Sequence, residues 1–280
     1  MKLNVLTLTL TLSLLSVVSL NANAAFVAFV KPDSQSQFTI KKQVKPQPPK
    51  PAPKACITRE NLIQKIRNHE DVTSENTSCI TNFAAMFMRN TTFNQDISGW
   101  DVSSGKNFGM MFAGATAFNQ DISGWDVSNG TNFTSMFNRN TTFNQDISKW
   151  DVSSGIQFDS MFAGATAFNK DIGSWDLKSA KTTVSMFSNA TAFNQDVSGW
   201  NVSKVNSFDF MFSSADAFNQ DISGWDVSNG QSFIGMFQYN QAFQQNISGW
   251  NVSNVSDVNN ARQFRQGAVL QNSNIPAKFR

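Results

Sequence analysis

The sequence predicts an α/β repeat solenoid, in which each 25-residue repeat forms one short parallel strand and one short helix, with a helical cap at the N-terminal end. The segment FNQDISGWDVS recurs with a period of 25 residues, two residue spacings alternate within each repeat, and aromatic residues stand at fixed places. We number the places of a repeat from one to 25. The seven repeats begin at Phe93, Phe118, Phe143, Phe168, Phe193, Phe218 and Phe243.

The first 24 residues have the pattern of a secretory signal peptide. They carry one lysine and a long apolar, threonine-rich run, and they end in Ala22-Asn23-Ala24, a typical cleavage site. A membrane anchor is the alternative, but the apolar run is short for a span. Residues 25–55 are rich in proline and lysine, which predicts an extended linker. Its lysines could contact an anionic surface or simply be solvated.

Residues 56–92 are predicted to form an N-terminal cap and a half-repeat. Thr58 is a suitable N-cap, and Leu62, Ile63 and Ile66 would share one face of a helix that ends near Asn68.

Cys56 and Cys79 are the two cysteines of the chain. In an exported protein such a pair predicts a disulfide bond, which would tie the cap together. A metal site is a weaker interpretation, because His69 is the only histidine.

Residues 93–260 hold the seven repeats. From Phe108 to Ala115, apolar residues stand at i, i+3, i+4 and i+7, which is helical spacing. From Asp96 to Val102, apolar and polar residues alternate, which is strand spacing. Strands of successive repeats would lie about 4.8 Å apart. Residues 261–280 lack the Met-Phe pair and are mostly polar, which predicts a C-terminal cap.

Tryptophan occupies the eighth place of every repeat. A column of aromatic rings could be a platform for stacking sugars or bases, but these rings alternate with polar residues and are needed for a core. We therefore predict that they form a core ladder. Its members are Trp100, Trp125, Trp150, Trp175, Trp200, Trp225 and Trp250.

Aspartate recurs at the fourth and ninth places. Stacked carboxylates repel one another, so another interaction must offset the repulsion within each column. Either each carboxylate accepts backbone N–H groups of its own turn, or calcium binds to the columns. Asparagine replaces aspartate twice at the ninth place, which favours the turn interpretation there; calcium stays open at the fourth. The aspartates of the fourth place are Asp96, Asp121, Asp146, Asp171, Asp196 and Asp221.

The repeat FNQDISGWDVSN followed by NFxxMF closely resembles the 25-residue repeat of BspA-like leucine-rich-repeat surface proteins, also known as the DUF285 or mycoplasma-lipoprotein repeat. The resemblance covers about residues 57–260 and includes the lead-in ITRENLIQKI. It implies a leucine-rich-repeat-like solenoid, display outside the cell and a link to adhesion. It implies no enzymatic activity. Valine is usual at the thirteenth place in the family, whereas four repeats here have glycine and one has alanine.

The composition argues against several functions. A single histidine leaves no nucleophilic triad, and an exported hydrolase would need one tuned acid rather than a repeated one. Residues 93–267 carry fifteen aspartates against nine lysines and arginines, a balance that disfavours nucleic acid. An ice-binding threonine array at the twenty-fourth place is broken by Asp216 and Gln241.

Two functions remain. The first is an exported, adhesion-type module that binds an extracellular protein or polysaccharide without catalysis. The alternative is a structural, self-associating surface protein with no specific ligand. Both are consistent with a secreted or surface-attached protein, and periplasmic retention stays open. We expect recognition to lie in the residues after each Met-Phe pair, which differ between repeats.

Overall fold

The computed structural model describes residues 26–27, 41–42, 54–256 and 263–280. The predicted signal peptide, most of the predicted linker and residues 257–262 lie outside the described residues. The chain divides into two compact units, Met1–Pro53 and Lys54–Arg280. In the first unit, strands β1 (Phe26–Val27) and β2 (Lys41–Lys42) pair antiparallel, with Phe26 opposite Lys42.

The second unit begins with one helix, α1 (Arg59–Arg67). The Thr58 side chain caps it by accepting the N–H of Asn61 at 3.2 Å, and Leu62 and Ile66 are buried. The predicted helical cap is therefore present. No helix in the described part of the chain is long and apolar enough to cross a membrane.

The expected strand and helix are not confirmed in the repeats. Between residues 93 and 256 the structure has no helix, and its only β pairing is a series of isolated parallel bridges at the fifteenth place. Overlapping turns occupy the segment for which a helix was predicted. In the first repeat the N–H of Met111 donates to Phe108 O at 3.1 Å and that of Ala115 to Phe112 O at 3.0 Å.

The intervening N–H groups bond to the next repeat instead of completing a helix. Phe108, Met110 and Phe112 donate at 2.8–2.9 Å to carbonyls that lie 24 residues further along the chain. Residues at the eighteenth place, such as Met110, and at the twenty-second place, such as Gly114, have positive φ. A positive φ at the third residue is what a type II turn requires.

The spacing of the repeats explains why turns replace helices. Ring centroids in successive repeats lie 5.2–5.8 Å apart for the phenylalanines of the twentieth place and 6.3–6.5 Å apart for the tryptophans. Packed helices need 8–10 Å. Backbone hydrogen bonds between successive repeats, such as Met110 N to Thr134 O at 2.8 Å, are those of strand spacing, about 4.8 Å. The i, i+3, i+4, i+7 pattern fits both structures, because either one turns the same four side chains inward.

The core is a set of aromatic and aliphatic columns that run through the stack. The leading phenylalanines lie 5.9–6.2 Å apart, and each contacts the preceding Met-Phe phenylalanine at about 4 Å. Tryptophan side chains are at most 5 % exposed. A repeat that buries its apolar residues against both neighbours needs covered ends.

Glycine at the thirteenth place follows from this packing. A β-carbon on Gly105 would lie 2.4 Å from the ring of Phe108, so the phenylalanine of the sixteenth place fills that space. Larger residues appear where this phenylalanine column is interrupted. Ala180 is followed by Thr183 at the sixteenth place. Val205 in the next repeat is buried together with Phe208 of its own repeat, but the ring of the preceding repeat is missing beside it because Thr183 stands there.

The two ends of the stack are covered differently. At the N-terminal end, the Arg59 guanidinium donates to Asn82 O at 2.9 Å and to Ala84 O at 2.6 Å, which are carbonyls that a preceding repeat would otherwise bond. At the C-terminal end, Phe237 donates to Phe264 O at 2.8 Å, so residues 263–280 continue the ladder as the last layer. The buried apolar side chains of this layer are Phe264, Leu270, Ile275 and Phe279.

Candidate binding faces

The aspartate columns brace turns. Asp96 Oδ1 accepts the N–H of Ser98 at 3.0 Å, and Asp101 Oδ1 accepts that of Ser103 at 3.0 Å. The same contact recurs at the fourth place for Asp121, Asp146, Asp171, Asp196 and Asp221, at 2.8–2.9 Å. Asn246 makes it in the last repeat at 3.1 Å. Asparagine can replace aspartate because the contact needs an acceptor and no charge.

Hydrogen bonds outweigh repulsion within the columns. The Ser123 hydroxyl and N–H lower the pKa of Asp121 below its ordinary value, although the neighbouring carboxylates Asp146 and Asp96 act in the opposite direction. The carboxyl pKa is also lowered at Asp96, Asp126, Asp146, Asp151, Asp196, Asp221 and Asp226. Each of these shifts has hydrogen bonds from the serine two residues on as its largest causes.

The structure brings together no set of metal ligands in the part of the chain that it describes. Nowhere within residues 54–256 and 263–280 do three or more His, Cys, Asp or Glu side chains converge as they would around a metal ion. The observed contacts of the aspartates are those of turn acceptors, and the calcium interpretation gains no support from them.

The tryptophans connect successive repeats through their indole N–H groups. Trp125 Nε1 donates to Ile97 O at 3.1 Å, a carbonyl of the preceding repeat, and Trp100 Nε1 donates in the same way to Val72 O at 2.9 Å. The other five tryptophans make the equivalent bond at 2.9–3.1 Å. Because the rings are buried, they offer no platform for stacking a ligand.

Cys56 and Cys79 form a disulfide bond, with their α-carbons 6.0 Å apart. It joins the segment before α1 to the first half-repeat. Beside it lies Glu75, buried and paired with Lys54 at 2.8 Å and Lys65 at 3.1 Å. These contacts hold the cap, and they leave no thiol among the described residues.

A second ladder between repeats, formed by asparagine side chains, was not predicted from the sequence. The asparagine at the second place accepts the N–H of the second residue in the next repeat, as from Asn119 to Asn94 Oδ1 at 3.1 Å and from Gln244 to Asn219 Oδ1 at 3.0 Å. Asparagine gives way to glutamine only at Gln244, in the last repeat, where no eighth repeat follows. That change at the end of the column was the available signal.

Many of the side chains that differ between repeats stand at five places outside the aspartate columns. We call this the variable face: the side chains at the fourteenth, eighteenth, twenty-first, twenty-second and twenty-fourth places. It contains four of the five large hydrophobic residues that are exposed in the described residues, Met88, Met110, Ile156 and Tyr239, at 42–50 % exposure. The segments after each Met-Phe pair, where we expected recognition, contribute part of this face.

Comparison with known proteins supports the repeat assignment. Three overlapping segments, residues 59–175, 126–221 and 157–275, match the family described as "Mycoplasma protein of unknown function, DUF285". No curated protein matches the chain. No solved structure matches it either. The matched segments together cover well over half of the 280 residues. The chain therefore belongs to the DUF285 family.

Proposed function

We propose that this protein is an exported, BspA-like surface protein whose repeat stack binds an extracellular protein or glycan in an adhesion-type role, without catalysis. One observation carries the proposal. The residues that hold the repeats together are nearly identical from repeat to repeat, whereas the exposed residues of the variable face change. A scaffold that is constant inside and varied on one outer face is suited to binding an extended partner.

The chemistry of the variable face is also that of a binding surface. Exposed Met110, Ile156 and Tyr239 provide apolar contact area, and aromatic residues and methionine are enriched at interfaces. The aspartate columns differ from this face, because their charged side chains accept hydrogen bonds within their own turns. The covered ends of the stack disfavour the alternative in which molecules assemble end to end.

The test uses the mature protein, starting at residue 25, immobilised and exposed to extracellular-matrix proteins and polysaccharides. We expect saturable binding to at least one of them. A variant with Met110→Ser, Ile156→Thr and Tyr239→Asn should lose affinity. Each substitution uses the residue found at the same place in another repeat, so the fold should be retained.

The matched control changes the aspartate side of the stack, through Lys149→Gly and Asp176→Asn, again with residues taken from other repeats. This control should bind as the unmodified protein does. If no partner binds saturably, or if both variants lose affinity equally, the assignment of binding to the variable face is wrong. A melting curve of each variant checks that the fold is intact.

A further inference from the structure

Two arginines of the variable face form no ion pair with any residue in the part of the chain that the structure describes. Arg89 and Arg139 both occupy the twenty-second place, in repeats separated by one intervening repeat. Both are exposed, and within residues 54–256 and 263–280 neither side chain makes an ion pair or a hydrogen bond. Two guanidinium groups are thus free for an external partner.

The next repeat positions each arginine. A β-carbon added to Gly114 would lie 3.5 Å from Arg89 Cγ, and one added to Gly164 would lie 3.2 Å from Arg139 Cγ. The aliphatic stem of each arginine therefore packs over a glycine, and its guanidinium extends to solvent. A stem that is already packed loses less conformational entropy when the guanidinium binds a ligand.

The spacing of the pair is set by the stack. Backbone hydrogen bonds join each repeat to the next, as from Arg89 N to Ala113 O at 2.7 Å, so Arg89 and Arg139, two repeats apart, are separated by about 10 Å at strand spacing. Gly114 stands between them in the intervening repeat, and the large exposed side chain of Met88 precedes Arg89. Exposed Thr91 and Thr141 follow the two arginines and present hydroxyl groups.

From this arrangement we infer that Arg89 and Arg139 form a two-point site for a linear anionic polysaccharide, such as a polyuronate or a sulfated glycan. Arginine binds carboxylate and sulfate-like oxyanions through paired N–H donors. A polymer with recurring acidic groups can meet both guanidiniums at once, and the threonine hydroxyls suit its hydroxyl groups. The inference rests on the proposed binding function and names the class of its ligand.

Other polyanions fit the surface less well. DNA and anionic membranes are bound by clusters of lysine and arginine, whereas the four cations of this face, Arg89, Lys106, Arg139 and Lys181, are spread over five levels of an acidic repeat stack. A single thin chain can follow the variable face and avoid the aspartate columns. A broad anionic surface would also meet the carboxylates.

The experiment measures binding of the mature protein to polygalacturonate, dextran sulfate and neutral dextran, with duplex DNA and anionic phospholipid vesicles alongside. We expect saturable, salt-sensitive binding to at least one anionic polysaccharide and none to dextran. The Arg89→Gln, Arg139→Gln double variant should weaken the Kd about tenfold or more. The control Lys149→Gln, Lys204→Gln removes the same charge elsewhere on the stack and should change the Kd less than about twofold.

A second variant tests the spacing at constant charge. Arg139→Asn with Asn189→Arg moves one guanidinium two repeats further along, onto a residue whose φ is already positive, and Ser214→Gly is added to supply the glycine over which such an arginine packs. On an oligosaccharide long enough to span two repeats but not four, this variant should bind no better than Arg139→Asn alone. Melting curves of all variants confirm that they fold.

The outcomes separate the inference from the proposed function. Binding of an anionic polysaccharide that the arginine variant leaves unchanged overturns the inference, as does equal loss in the lysine control, or tighter binding of DNA or vesicles. If the protein binds only a neutral glycan or another protein, the inference fails and the proposed function stands. If nothing binds, both fail.

Discussion

Gly155 provides a direct test of the packing between the thirteenth and sixteenth places. A β-carbon there would lie 2.3 Å from Phe158 Cζ and 2.8 Å from Cε2, closer than any real contact. Val152 O would lie 2.9 Å from the same β-carbon. The equivalent turn of another repeat accommodates Ala180, however, so the clash with the Phe158 ring determines the cost of the substitution. Overpacking of this kind costs about 1–3 kcal/mol. Alanine also lowers the conformational entropy of the unfolded chain, which stabilises the folded state by about 0.4–1 kcal/mol.

We therefore expect Gly155→Ala to lower the free energy of unfolding by about 1–2 kcal/mol. In a Phe158→Thr background, which copies the pair Ala180 and Thr183, the ring is gone and the entropy effect remains. The same substitution should then stabilise by about 0.4–1 kcal/mol. The effect of one methyl group thus changes sign with its neighbour.

The assay is urea denaturation at 25 °C, followed by tryptophan fluorescence and circular dichroism, for the four proteins of this double-mutant cycle. Gly124→Ala is the matched control, because nothing lies within 4 Å of a β-carbon at that glycine. It should shift stability by less than about 0.5 kcal/mol. An equal effect of Gly155→Ala in both backgrounds would refute the reasoning.

Three further predictions concern the ladders and the cap. Trp175→Phe should lower the free energy of unfolding, measured by urea denaturation, by about 2–3 kcal/mol, because the indole bond to Ile147 O is lost and a small void remains. The cost is not larger because Ile147 O still accepts the N–H of Trp150. Because the pKa of Asp146 is lowered in the folded protein, its ionised carboxylate stabilises the fold at neutral pH, and this stabilisation is lost as pH falls through the folded pKa. Asp146→Asn should therefore reduce the loss of stability between about pH 5 and pH 2, measured by melting curves. Reduction of the Cys56–Cys79 disulfide should cost about 3 kcal/mol, seen as a lower melting temperature with dithiothreitol, and no change on reduction would contradict its role in the cap.

The sequence predicted what depends on side-chain pattern and failed where backbone bonding decides. Helix α1, the pairing of Cys56 with Cys79 and the burial of the tryptophans are all as expected. The i, i+3, i+4, i+7 spacing predicts a helix where the structure has turns, because both structures bury the same four apolar places. Nothing in one repeat reveals that its N–H groups bond to the next repeat, since those bonds join residues 24 apart.

The contacts that bond one repeat to the next were also hidden, for a related reason. The sequence pattern predicts the eighth-place tryptophans only as a core ladder and assigns no role to the second-place asparagine, whereas both side chains hydrogen-bond to a neighbouring repeat. Arg59 has no distinctive position in the sequence pattern, although its guanidinium donates to Asn82 O and Ala84 O at the N-terminal end of the stack. These roles depend on a three-dimensional neighbour that periodicity alone does not specify.

The same neighbour relation accounts for the 50-residue echo in the sequence, where MFAGATAF alternates with MFNRNTTF. At four positive-φ positions a large side chain leans over a glycine of the next level. The pairs are Arg89 over Gly114, Arg139 over Gly164, Phe210 over Gly235 and Tyr239 over Gly267. Within the column at the twenty-second place, a large residue is followed by glycine at the next level, so the shortest regular pattern is two repeats long. The large side chains of that column, Arg89, Arg139 and Tyr239, are accordingly never in consecutive repeats, which sets the spacing of the contacts that this column can make with a partner.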